Sequence, residues 1–165
     1  MPILREGELD IITHSAEQTR RLGVKLGTLL LPGDVVCLSG DMGAGKTAFS
    51  SGIGAGWGAQ EPLTSPTFNL VHTHSRQADR VRLYHLDCYR LRDADDAETI
   101  GLDDLLDADG AVAIEWPERI VEALPAECLW ITITSPDDLC REITLETASA
   151  RYFPLLQVLN DATLY

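Results

Sequence analysis

The run VVCLSGDMGAGKTAF, beginning at Val35, constrains the fold more than any other stretch of the chain. It contains G-x-x-x-x-G-K-T as Gly40, Gly45, Lys46 and Thr47. Glycines at such positions let the backbone take angles and approaches that a Cβ forbids. Successive N–H groups can then converge on phosphate oxygens at the positive end of the following helix. Lys46 is placed to reach the β- and γ-phosphates, and Thr47 to give its hydroxyl to Mg²⁺. Gly43 adds freedom within the loop. The pattern requires a buried strand before it and a helix after it. VVCLS is a short apolar run of β-formers, and a helix is expected from Lys46 to about Ala55. Gly52 and Gly54 weaken that helix by roughly 1 kcal/mol each relative to alanine. Close packing against the sheet is the expected reason for them.

The remaining periodicity builds an α/β chain around this junction. ELDIITH alternates and reads as a first strand. Ser15 followed by Gln18 is a capping-box pattern, and Leu22, Leu26, Leu29 and Leu30 then fall on one helical face. SPTFNLVHTH and VRLYHLDCYRL flank the polar SRQADR and read as a hairpin. The acidic run Asp93 to Asp109 suits short surface helices, AVAIEW is a buried strand, and Pro117 starts a short helix. LWITIT and REITLETAS form a second hairpin around SPDD, and YFPLLQVLN closes the chain as a short helix. Alternating strands and helices with flanking hairpins predict a partly parallel sheet with antiparallel edges. At 165 residues the chain is long enough for one such domain, taken as 1–165, and short for two.

Charge narrows the function. There are 13 basic and 26 acidic residues, a net charge of −13, and the only lysines are Lys25 and Lys46. Affinity for nucleic acid comes largely from counterion release by Lys and Arg, so the chain is a poor independent binder of RNA or DNA. Cys37, Cys88, Cys128 and Cys140 form no C-x-x-C pair and read as reduced thiols of a cytoplasmic protein. MPILREGELDI is not a signal peptide, and no apolar run is long enough to span a bilayer.

A phosphate loop alone does not separate an ATPase from a GTPase or a kinase. An acid at a neighbouring strand end is needed to hold metal or position water. Asp87 ends VRLYHLD and Glu115 ends AVAIE, and either could serve. Trp116 could cover the site or stack on the nucleotide, or simply pack in the core. Thr67, in the SPTF turn with Ser65, could meet the γ-phosphate or Mg²⁺, or simply enter a strand. His72 and His74 share a strand face but lack a third metal ligand at useful spacing. The guanine-reading Asn/Thr-Lys-x-Asp motif is absent, which argues against a classical GTPase. Arginines cluster at Arg76, Arg80, Arg82, Arg90 and Arg92, with no lid-like segment. A small-molecule kinase stays open as the alternative.

GDMGAGKT, SPTFNLV, HLDCYRL and IEWPER occur in this order from about Gly33 to Arg119, and together they resemble the TsaE family, also called YjeE. The resemblance implies an α/β P-loop NTPase-like sandwich, with a central mostly parallel sheet extended by antiparallel hairpins and helices on both faces. It implies ATP with Mg²⁺, weak ATPase activity in isolation, and a part in threonylcarbamoyladenosine modification of tRNA. The implied partners are the TsaD and TsaB proteins; tRNA is met only through them, and no membrane or DNA is involved. By motif match, Gly40, Asp41, Met42, Gly43, Ala44, Gly45, Lys46, Thr47 and Ala48 hold the nucleotide, with Trp116 beside it and Thr67 on a switch-like segment. Thr47, Asp87 and Glu115 serve the metal, and Glu115, Asp87 and Lys46 serve hydrolysis. Ala48 stands where a second threonine is common, and Met42 and Cys88 replace frequent leucines. None of the three changes removes a group the chemistry needs. The acidity fits a subunit steered to a basic patch on a protein partner, and Asp93 to Asp109 is the candidate surface.

Overall fold

The computed structural model describes residues 2–63 and 70–162. Eight strands form one mixed sheet: β1 (Ile3–Arg5), β2 (Glu8–Thr13), β3 (Val35–Ser39), β4 (Val71–Ser75), β5 (Arg82–Asp87), β6 (Gly110–Glu115), β7 (Leu129–Thr134) and β8 (Arg141–Glu146). Their order is β1-β2-β8-β7-β3-β6-β5-β4. The middle four strands, β7-β3-β6-β5, run parallel, while β4 on one side and β8, β2 and β1 on the other are antiparallel extensions. The two expected hairpins are present. The three-residue β1 was not foreseen; it is too short to show an alternating pattern and exists by pairing with β2.

Among the described residues five α-helices accompany the sheet, α1 (Ala16–Leu29), α2 (Lys46–Trp57), α3 (Ala94–Thr99), α4 (Leu102–Asp107) and α5 (Phe153–Asp161), with short 3₁₀ turns at Pro117–Arg119, Val121–Ala123 and Ala150–Tyr152. Among the described residues no helix is long and apolar enough to cross a membrane. The Ser15 hydroxyl accepts the Gln18 N–H at 3.0 Å, as the capping pattern predicts. The Gln18 carboxamide oxygen reaches back one residue further than the usual box and accepts from the His14 N–H at 2.8 Å. The acidic run forms α3 and α4, separated by Gly101.

Both faces of β3 are buried, which is why its sequence is continuously apolar rather than alternating. Val36 and Leu38 join a large core with Leu22 and Leu26 of α1, Phe49 and Ile53 of α2, and Leu156 of α5. Val35 and Cys37 join a second core with Leu86, Ile114, Ala97 and Leu102. The C-terminal segment braces the entrance to β3. The Tyr152 hydroxyl accepts from the Val35 N–H at 3.0 Å, and Arg151 Nε donates to Asp34 Oδ1 at 2.7 Å.

The glycines of α2 pack differently from expectation. A Cβ on Gly52 would lie 2.1 Å from the Arg20 carbonyl oxygen of α1, so Gly52 is matched to a helix backbone, not to the sheet. A Cβ on Gly54 would meet the Leu63 side chain at 2.4 Å. On the other helix, a Cβ on Gly27 would lie 2.2 Å from the Ile53 carbonyl oxygen. Glycines on both helices thus set the separation of α1 and α2, and so fix where the first turn of α2 stands.

Gly52→Ala should lower stability by about 1–3 kcal/mol, because overpacking against a rigid carbonyl outweighs the gain in helix propensity of about 1 kcal/mol. Gly54→Ala should cost less, since the flexible end of Leu63 can give way. Urea unfolding of both variants beside wild type checks the order; equal midpoints for all three would refute close helix–helix contact at Gly52.

Candidate functional site

The site forms where the central strands end. β3 stops at Ser39, and the chain turns through Gly40–Gly45 into α2. Gly40 has φ +150°, and a Cβ there would lie 2.4 Å from the Ile133 carbonyl oxygen. Gly43 and Gly45 are also left-handed, at φ +78° and +114°. The Ala44 N–H closes a turn onto the Asp41 carbonyl at 3.1 Å. Among the described residues the N-terminus of α2 has no side-chain cap, which suits its first N–H groups to an anionic ligand.

Parallel pairing of β5 with β6 aligns Asp87 with Glu115 in the ladder, at neighbouring strand ends. Both acids line a cleft of about 580 Å³ that also includes Met42, Gly43, Gly45, Lys46, Thr47 and Trp116. Gly40, Asp41 and Ala44 do not line this cleft: Gly40 and Asp41 use their carbonyls within the loop, and Ala44 packs in the large core. Ala48 faces a second hollow of about 240 Å³ on the other side of the loop, with His14, Ser15, Leu139 and Arg141. Gly43 and Gly45 belong to both hollows. Thr67 and Ser65 lie outside the described residues.

Lys46 is buried, and its ammonium donates to the Gly40 carbonyl. The same ammonium sits 3.5 Å from the centroid of the Trp116 ring, a cation–π contact. Burial lowers the Lys46 pKa, opposed by the negative charges of Glu115, Glu118, Asp87 and Asp41. Trp116 therefore lines the cleft while also packing against the second core. Its φ of +58° makes it the one non-glycine residue with positive φ among those described. Tyr89 packs on it with ring centroids 5.0 Å apart.

The two acids differ in surroundings. Burial raises the Asp87 carboxyl above its usual range, and the Tyr89 N–H bond to Oδ1, at 2.9 Å, works against that. Glu115 is 4% exposed, and its Oε2 lies 2.6 Å from His85 Nε2. That contact was not foreseen: HLD puts His85 and Asp87 on one strand face, but the partner Glu115 is supplied by the β5–β6 register. The second hollow was missed because Ala48 and Arg141 are brought together only by tertiary folding. His72 and His74 find no metal partner: among the described residues, no group of three or more His, Cys, Asp or Glu is arranged to hold a metal.

Thr47, Asp87 and Glu115 all offer oxygen, the donor type Mg²⁺ prefers, and two carboxylates beside a phosphate cradle suit an ion that keeps water and substrate phosphates as further ligands. A cradle that a Cβ at Gly40 would disrupt, next to an uncapped helix start, suits phosphate oxygens.

Residues 13–143 match the family described as threonylcarbamoyl adenosine biosynthesis protein TsaE. A tRNA threonylcarbamoyladenosine biosynthesis protein TsaE of Treponema pallidum is 40% identical over 134 residues, covering 81% of this chain and 97% of that protein. The protein of the same name from Bacillus subtilis is 36% identical over 148 residues, covering 90% and 91%. The crystal structure of Bacillus subtilis YdiB superposes with a TM-score of 0.78 at 32% identity, covering 98% of this chain and 97% of that one. The chain belongs to the TsaE family of tRNA threonylcarbamoyladenosine biosynthesis proteins.

Proposed function

We propose that this chain is a Mg²⁺-dependent ATPase with a P-loop NTPase-like sandwich, and that it drives the threonylcarbamoyladenosine modification of tRNA by acting on a TsaB–TsaD complex in the cytoplasm. The observation that carries the reading is the alignment of Asp87 and Glu115 across the parallel ladder, opening onto the same cleft as Lys46 and Thr47. A bare phosphate-binding turn would not need two acids at that height.

In this reading the loop from Gly40 to Gly45 and the start of α2 hold the triphosphate through backbone N–H groups. Lys46 exchanges the Gly40 carbonyl and the Trp116 face for phosphate oxygens. The Thr47 hydroxyl and the Asp87 carboxylate would hold magnesium, with Glu115 within the same set. A bound Mg²⁺ would supply charge neutralisation on the phosphates. Glu115 orients the attacking water towards the γ-phosphate. The net charge of −13 keeps the chain off tRNA itself, so contact with tRNA runs through the partner proteins.

Phosphate release measured with and without purified TsaB–TsaD tests this. Lys46→Ala should weaken ATP binding by about 10–100-fold, the value of a charge-assisted contact to phosphate. Glu115→Ala should slow turnover by on the order of 100-fold, the lower range for a lost general base or water-positioning group, while nucleotide affinity changes far less. Equal rates in wild type and Glu115→Ala would reject the catalytic role. Label passing from ATP into a small metabolite, instead of free phosphate, would turn the reading to a kinase.

A further inference from the structure

We propose that His85 is the positioning residue for Glu115, holding its carboxylate by one oxygen so that the other faces the cleft; the role rests on the hydrolytic reading above. His85 is fully buried on β5, two residues before Asp87. Its side chain therefore leaves the sheet on the same face as Asp87, and the ladder puts Ala113 beside it and Glu115 one step beyond on that face. The small Ala113 side chain leaves room for the ring to lean along β6. Nε2 then reaches Glu115 Oε2 at 2.6 Å.

This is the one hydrogen bond to the Glu115 carboxylate among the described residues. The loop lysine is occupied elsewhere, with the Gly40 carbonyl and Trp116. A glutamate at a strand end has three side-chain torsions to fix, and here a buried, charge-assisted bond fixes them. The bond consumes Oε2 and leaves Oε1 as the oxygen available to the cleft that Glu115 lines.

The other side of the ring points to the same conclusion. His85 Nδ1 is buried and has no hydrogen-bond partner among the described residues, and the same holds for His74 Nε2 on β4. The two rings lie 6.5 Å apart. An unpartnered buried nitrogen costs stability and calls for an explanation. A histidine kept only to fill space would be better replaced by leucine. The single polar engagement of His85 is with Glu115, and that engagement accounts for an imidazole at this place.

The test compares His85→Leu, His85→Asn and His85→Gln, each checked for folding by thermal melting. Turnover is measured with saturating Mg-ATP and the TsaB–TsaD complex, and affinity with a non-hydrolysable ATP analogue by calorimetry. The glutamine carboxamide nitrogen extends about as far as Nε2, whereas that of asparagine extends only as far as Nδ1. His85→Leu and His85→Asn should lower kcat by about 10–100-fold, the usual effect of removing a partner behind an active-site ligand. The dissociation constant should stay within about threefold, under about 0.7 kcal/mol. His85→Gln should recover most of the loss. In nucleotide-free, ¹⁵N-histidine-labelled wild type, long-range ¹H–¹⁵N spectra should show the proton of His85 on Nε2, with its resonance displaced in Glu115→Ala. Full kcat in the leucine and asparagine variants, a glutamine variant no better than they are, or an Nε2 without a proton overturns the proposal. Wild type that releases no phosphate even with its partners would bring down the hydrolytic reading, and the role of His85 in turnover with it. Unimpaired variants of an active wild type remove the role of His85 alone.

Discussion

The register between β5 and β6 is the constraint on which the site depends. Two parallel strands in a buried sheet cannot slip by one residue without sending every apolar side chain to the wrong core. Leu83 and Ala111 face the α1–α2 side, and Leu86 and Ile114 face the other, so the pairing is specified over the whole ladder. Asp87 and Glu115 inherit their alignment from that packing. The acids do not hold each other in place, since they carry like charge and Glu115 opposes ionisation of Asp87. Apolar burial along the strands thus supplies the energy that keeps two carboxylates side by side at the ends.

The phosphate loop is positioned in a similar indirect way. Its near end is the end of β3, clamped between two cores and braced at its start by Tyr152, Asp34 and Arg151. Its far end is the first turn of α2, whose distance from α1 is set by backbone contact at glycines. Between them the loop closes one internal backbone turn, Asp41 to Ala44, and the Lys46 ammonium ties back to the Gly40 carbonyl.

Much of this was legible in the sequence because it is short-range. The loop motif, the Ser15 cap, both hairpins and the placement of Asp87 and Glu115 at strand ends each follow from spacings of a few residues. Contacts between distant segments were not legible. His85 and Glu115 are thirty positions apart and meet through a crossover whose register no local pattern displays. Gly52 was read correctly as a close-packing residue, but sequence alone could not choose between sheet and helix as its neighbour. Trp116 was ambiguous for the same reason: an indole after a buried strand suits a core as well as a cleft, and here it does both, packing against the second core while its ring meets the Lys46 ammonium.

Trp116 also shows how the site bears its own strain. Left-handed backbone at a non-glycine residue costs roughly 1–2 kcal/mol. That cost is opposed by the Trp116 N–H bond to the Leu38 carbonyl at 3.2 Å, by packing with Tyr89, and by the cation–π contact with Lys46. The reversal after Glu115 is what turns the indole towards the Lys46 ammonium at the loop. A buried lysine in so acidic a chain needs a partner at every stage, and the kinked tryptophan provides one within the protein. Strand end, carboxylate, kinked backbone and ammonium therefore form one mechanical unit, in which the direction taken by the chain after β6 determines where the charge of Lys46 rests.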